Sequence, residues 1–353
     1  MAGAAGERYY DLAMRGTLSR RGFLSLTAAA AAPVQAAAGD KSVVSLVTGN
    51  DRRKNIYNAL LEIDDQIRPA LKRKKYVLIK PNCVAVKNQL GSTHADALRG
   101  ILDYLAPRFK GPVVIAESSR DDTWDAYENF HYNQVASEYR GLKVKLVDLN
   151  EEERYETFEI LDRNVHMSQV RLAARLMDPG AFVLGSAILK SHDAVVATLS
   201  VKNLVMAAPL HSSRKSADKW HDKSKYHAGF RQIHMNLLLT AKKLRPFWGA
   251  TVIDGYEGME GDGPINGTPV ASSLAIASAD FVAADRVGVE VMGVNPEWPG
   301  YLNYCARAGL GQYDLARIEL RGGVAPAAVR KTYRLHKSID RQLEWMKPLQ
   351  NRT

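Results

Sequence analysis

Five segments of this sequence set a charged or amide side chain directly behind an apolar run. Lys80-Pro81-Asn82 follows residues 76–79, Glu117-Ser118-Ser119 follows 113–116, and Lys190-Ser191-His192 follows 182–189. Ser200-Val201-Lys202-Asn203 follows 194–199, and Asp254 ends an apolar run that begins at Thr251. Such runs read as strands, and open α/β sheets bind ligands at the carboxyl ends of their strands. A lysine in that place is half desolvated. It needs an anion or a buried carboxylate, or it must reach water along its own stem. Reaching water is the simpler reading for a single lysine. For Lys80, Lys190 and Lys202 together, an anionic ligand or a cluster of carboxylates is the expectation. Lys80, Asn82, Glu117, Lys202 and Asn203 are candidate substrate-binding groups. Lys190, His192, Asp254 and Glu257 are candidate catalytic acids and bases.

The most unusual stretch is residues 254–264, where Gly255, Gly258, Gly261 and Gly263 alternate with Asp254, Glu257, Glu260 and Asp262. Four carboxylates repel a bare phosphate, so a divalent cation or the lysines must neutralise them. The spacing misses the dinucleotide fingerprint, because Asn266 stands where a third glycine is needed. A tight loop whose acids cap turns is an equally good reading. His227, Arg231 and His234 share one face of a helix. This makes Arg231 a candidate substrate contact, and His227 and His234, with Glu260 and Asp262, candidate ligands for a divalent metal. No tight metal signature supports that set, and a satisfied histidine is the plainer reading of each. His94 stands at a helix start, where it either meets an anion or caps the helix. Cys83 and Cys305 are too few for an iron–sulfur cluster, so none is expected. Cys83 as core filler is preferred over Cys83 as a nucleophile. Neither a G-x-S-x-G elbow nor a phosphate-binding GxxxxGK[ST] loop occurs.

These side chains need strands and helices to hold them. Strand-like runs at 43–47, 76–79, 113–116, 144–149 and 182–189 alternate with helical patterns. Ile56, Leu60, Ile63 and Ile67 mark one helical face, Leu98, Ile101, Leu102 and Leu105 a second, and Phe230, Ile233, Leu237, Ala241 and Leu244 a third. Further strand-like runs lie at 251–254, 274–277 and 317–320. The alternation predicts an α/β fold: a mostly parallel or mixed sheet covered by helices on both faces, with room for two lobes. Residues 39–325 read as the α/β domain, and 326–353 as a basic C-terminal helix or tail.

The first 38 residues read as an address. Ser19-Arg20-Arg21-Gly22-Phe23-Leu24 resembles the twin-arginine export motif, and an alanine-rich apolar stretch and Ala36-Ala37-Ala38 follow it. The expectation is export by the twin-arginine translocase to a periplasmic or other extracytoplasmic space, with no transmembrane segment in the mature chain. The formal charge of +10 would suit nucleic acid, anionic lipid or anionic substrates, and export argues against nucleic acid.

Taken in order, Lys80-Pro81-Asn82, Thr93-His94, Glu117-Ser118, Lys190-Ser191-His192, Lys202-Asn203, the 254–264 segment, Ala284-Asp285 and Gly309-Leu310-Gly311 resemble the DUF362 family, a domain of unknown function. The likeness covers roughly residues 43–322. It implies that the strand-end residues form one site, and it names no reaction. Some relatives add a ferredoxin-like cysteine region that this sequence lacks. Two functions follow as expectations. One is an enzyme acting on a small anionic substrate, with or without a divalent metal. The other is a non-catalytic protein that holds an anion or cofactor for an extracytoplasmic redox system.

Overall fold

The computed structural model describes residues 41–347. The export signal read in residues 1–38 lies outside the described residues.

Nine strands form one sheet, in the order β11 (Ile318–Arg321), β1 (Ser42–Thr48), β10 (Thr268–Ser278), β9 (Trp248–Glu260), β7 (Ala181–His192), β2 (Tyr76–Lys80), β3 (Val113–Glu117) and β4 (Val144–Asp148). The ninth strand, β8 (Val196–Thr198), pairs with the far end of β7. The run from β9 through β7, β2 and β3 to β4 is parallel throughout, while β10 is antiparallel to both β9 and β1. The sheet is thus mixed and mostly parallel, as the alternation predicts. From β2 the chain steps outward to β3 and β4, then returns to the other side of β2 as β7. The strand order therefore reverses between β2 and β7, and a crevice opens at the carboxyl ends of strands at such a point.

Strand periodicity decides which helices cover which face. Val77, Ile79, Val113, Ile115, Val252 and Ala277 point to one side. There they pack under α1 (Arg52–Leu61), α2 (Asp64–Leu71), α3 (Ala95–Leu105), α4 (Thr123–Asn129) and α5 (Tyr132–Glu138). Leu78, Val114, Val183, Ile253 and Ile276 point to the other side. They meet α6 (Ser200–Val205), α8 (Phe230–Leu244), α9 (Phe281–Val291) and α10 (Gly300–Arg307). The short α7 (Asp222–Lys225) lies on the chain leading into α8.

The structure departs from the sequence reading in four places. The face marked by Ile56, Leu60, Ile63 and Ile67 is fully buried, but two helices carry it, with a break at Ile63 (φ −116°). A hairpin of β5 (Tyr155–Leu161) and β6 (Met167–Ala173) has no counterpart in that reading. It forms a separate two-stranded sheet, yet Ile160, Val170 and Leu172 join the core under the large sheet, so it is not a second lobe. Strand β9 continues to Glu260, through the first part of the glycine-rich segment. Finally, the apolar spacing of Leu335, Ile339, Leu343 and Met346 gives only one turn of α-helix (Ile339–Gln342) and a 3-10 turn, behind an extended strap.

Candidate functional site

A cavity of about 430 Å³ opens where β2, β3 and β7 end. Lys80 at the end of β2 is the hub of its floor. Its Nζ lies 3.0 Å from Glu117 Oε2 and donates to the carbonyl and side-chain oxygens of Asn203 at 2.8 and 2.6 Å. Glu117 also accepts the backbone N–H groups of Cys83 and Ser118. Asn82 Nδ2 donates to the same Asn203 oxygen at 2.7 Å, and Asn82 Oδ1 accepts from Lys190 Nζ at 2.6 Å. Lys190 is fully buried and reaches only neutral acceptors, Asn82, Gly91 and Pro264. Burial, with Lys202 and Lys80 nearby, holds its pKa well below the usual lysine value. Lys190 braces the floor and is not part of the cavity wall.

Helix α6 brings Lys202 and Asn203 to the site. Two amides at its start, Ser200 N and Val201 N, donate to the Asp285 carboxylate of α9 at 2.7 and 2.9 Å. Asp285 is fully buried, and burial pushes its pKa up to about 7 against those two bonds. Lys202 is only 5% exposed and lines the cavity. Among the described residues, no carboxylate or hydrogen-bond acceptor reaches its Nζ. Burial lowers its pKa to about 8; Asp193 opposes the shift and Lys80 adds to it. Lys223 of α7, which the sequence reading did not single out, is also buried. Its Nζ donates to Ser118 Oγ at 3.0 Å and to Met206 O, again with no carboxylate partner among the described residues. Burial lowers its pKa to about 7.

Histidines make up much of the remaining wall. Ala194 N donates to His192 Nδ1 at 3.0 Å, and the same ring nitrogen lies 3.0 Å from Asp193 Oδ1. Burial, with Lys202 close by, lowers His192 to about 3 and His227 to about 4, so both are neutral. His221 and Arg120 also line the cavity. Asp193 is the acid beside His192 and Lys202. Burial pushes it up, but its contact with His192 and the charge of Lys202 outweigh that, and its pKa ends below the carboxylate range. The glycine-rich segment forms another wall through Asp262, Gly263, Pro264, Ile265 and Asn266. Gly263 lies so close to β7 that a Cβ would strike the Ser191 carbonyl oxygen. The extended strap adds His336 and Lys337, each 3.7 Å from an Asp262 oxygen.

Of the residues singled out from sequence, Lys80, Asn82, Cys83, Glu117, His192, Lys202, Asn203, His227, Asp262 and Gly263 share this cavity. The others lie elsewhere. Asp254 is buried on the α1 face and pairs with Arg52 at 3.2 Å, and the more exposed Glu257 sits 4.0 Å from the same arginine. His94 caps α3 by accepting from Asp96 N. Arg231 donates to the carbonyls of Trp345 and Lys347. Glu260 holds Arg334. His234 is buried against Tyr301 and Trp345, where its Nδ1 accepts from Tyr301 N. Of the four expected metal ligands only His227 and Asp262 therefore line one cavity. Among the described residues, no three His, Cys, Asp or Glu side chains are grouped to hold an ion. Cys83 reaches the wall, but burial and then Glu117 push its thiol up to about 12, so it is no thiolate at neutral pH.

Sheet and cavity together define an α/β protein with a lysine-rich pocket at the switch point of its strand order. The profile of the DUF362 family, described as a domain of unknown function, matches residues 77–290, and the chain belongs to that family. It is also 31% identical over 129 residues to a thylakoid-associated protein of Synechocystis sp., an overlap of 36% of this chain and 37% of that protein. The chain thus spans little more than a third of that relative. Among the described residues, no helix is long and apolar enough to cross a membrane.

Proposed function

We propose that this protein is an enzyme acting on a small anionic substrate bound in the cavity at the β2–β7 switch point. One observation carries the proposal. Lys202 and Lys223 are buried in the wall and neither has a carboxylate partner among the described residues, whereas Lys80 is matched by Glu117. Buried cations are normally paired, because desolvation costs them several kcal/mol each. A carboxylate or phosphate between these two lysines supplies the missing charge. Their values near 7 and 8 also lie where a proton can be given or taken at neutral pH, which general acid–base catalysis requires. The neutral His192 lines the same cavity. The lysines alone can balance an anion, so this reading needs no divalent cation.

Thermal denaturation with citrate, phosphate and a panel of dicarboxylates tests the binding. Stabilisation of about 2.7 kcal/mol is expected when the ligand stands near 100 times its Kd. Lys202→Met and Lys223→Met should remove it. A wild-type protein indifferent to every anion would sink the reading. Stabilisation without conversion of any anion, followed by NMR, would turn the reading to a non-catalytic carrier.

Export by the twin-arginine route is part of the same proposal, supported by Arg20-Arg21 and the apolar stretch behind them. Replacing both arginines by lysine should hold the protein in the cytoplasm, which cell fractionation reads directly. An unchanged distribution would refute this part alone.

A further inference from the structure

Lysines that a ligand merely neutralises and lysines that attack it differ in one respect, which is whether the nitrogen is already committed. Lys80 Nζ has three partners, Lys190 three and Lys223 two. Lys202 Nζ has none among the described residues, although the side chain is buried and faces the cavity. Charged and titratable groups surround it. Lys80 comes from β2, Lys190 and His192 from β7, Asp193 from the turn after β7, and His227 and Lys223 from the chain around α7. The single acid among them, Asp193, is half exposed and already meets His192 at 3.0 Å. Amines that are desolvated and set beside other cations lose their proton near neutral pH and become nucleophiles.

Resting on the proposed anion site, we infer that Lys202 is an amine nucleophile that forms an imine with an aldehyde or ketone carrying its own carboxylate or phosphate. The anionic group is drawn by Lys223 and Arg120, and the carbonyl carbon meets Lys202. The amine lone pair forms the C–N bond. Both N–H protons of the neutral amine end on the carbonyl oxygen, which leaves as water. The imine then takes one proton from solvent, and it withdraws electrons from the neighbouring C–H or C–C bond. No other reagent is required. The substrate class narrows from small anions to oxo acids and phosphorylated carbonyl compounds.

Glyoxylate, a small anionic aldehyde, serves as the probe. With cyanoborohydride at pH 7 it converts an imine into a stable carboxymethyl-lysine that peptide mass spectrometry locates. Lys202 should be modified roughly tenfold faster than surface lysines, since its larger neutral fraction outweighs its weaker basicity. Citrate, which has no carbonyl, should slow modification at Lys202 and leave the surface lysines unaffected. Lys202→Arg keeps the charge but cannot form the imine. It should remain stabilised by citrate while losing the fast modification. Modification of Lys202 no faster than the surface average, or preferential modification of Lys223, overturns the inference. If citrate stabilises the wild type while Lys202 stays unmodified, only the imine fails. If citrate does not stabilise the wild type and Lys202 is not preferentially modified, the anion site fails with it.

Discussion

Lys80 and Lys202 stand within one cavity and are held by opposite means. Lys80 has a carboxylate at 3.0 Å, and Lys202 keeps its charge out of water with no partner among the described residues. Unpairing Lys80 and removing Lys202 should therefore shift stability in opposite directions. Glu117→Gln leaves Lys80 buried without its counter-ion and should cost about 3–5 kcal/mol. Pairing it with Lys80→Met should recover a good part, and urea denaturation of the two variants would show whether it does. Lys202→Met replaces an unpaired amine by an apolar chain of similar length. It should raise the stability of the ligand-free protein by about 1–3 kcal/mol while abolishing stabilisation by anions. The pH dependence follows from the lowered values of Lys202 and Lys223. Between their folded values, about 8 and about 7, and the unfolded lysine value near 10.4, the unfolded chain binds more protons at these two positions than the folded one. Their contribution to stability therefore rises with pH across that window, and the penalty is present in full only well below pH 7. A bound anion restores their charge, so anion affinity should fall as the pH climbs past about 8. Denaturation midpoints from neutral to about pH 9.5, with and without citrate, should show both slopes, and both should flatten in the double Met variant.

Element by element, the site depends on how α6 is held. That helix has six residues, too few to be stable alone, and its first two amides are anchored by Asp285 of α9 rather than by a local cap. Asp285→Ala should cost about 2–3 kcal/mol and weaken anion affinity with it, because Lys202 and Asn203 follow the two anchored residues directly. Calorimetry and citrate titration would check the pair, and lost stability with unchanged affinity would separate α6 from the site. Gly263→Ala drives a Cβ into the Ser191 carbonyl and should displace the glycine wall, lowering both stability and affinity. Much of this was legible in the sequence, because the order of strands already sets Lys80, Glu117, Lys190 and Lys202 at carboxyl ends. Chain order alone groups Asp254 with them. Strand parity gives a different answer, since Asp254 shares its side with Ala250 and Val252, which lie under α1, and it meets Arg52 there. Lys223, Asp193 and Arg120 carry no periodic signal. They stand in loops and a single-turn helix, and only tertiary packing brings them to the wall. The β5–β6 hairpin is hidden in the sequence for a related reason: Tyr155, Glu156, Thr157 and Glu159 face solvent, so its first strand has little apolar alternation.

On the scale of the whole molecule, the cavity is closed by chain that lies beyond the family match. The strap after Arg330 follows α9 through Lys331 N to Val291 O and Tyr333 N to Met292 O. It then pairs with the glycine-rich segment through Arg334 and Glu260, and sets His336 and Lys337 against Asp262. Its last anchor is Gln342, fully buried, whose side chain accepts from Val196 N at 2.7 Å and donates to His192 O at 2.9 Å. Trp345 completes the hold by packing on His234 and Tyr304. The Gln342 amide, with Ser338 Oγ donating to Asp193 O at 2.9 Å, thus ties the strap to the β7–β8 turn that carries His192 and Asp193. Gln342→Ala leaves a buried N–H and a buried carbonyl unsatisfied and should cost about 2–4 kcal/mol. If the strap shapes the cavity as well as stabilising the fold, the same variant should raise the Kd for citrate several-fold and speed hydrogen exchange at Val196 above that of β2. Substitution of the exposed Lys337 by alanine should weaken the anion with almost no loss of stability, because its ion pair with Asp262 is exposed. Reduced stability in Gln342→Ala with citrate affinity intact, and no effect of Lys337→Ala on binding, would make the strap a clasp for the fold alone.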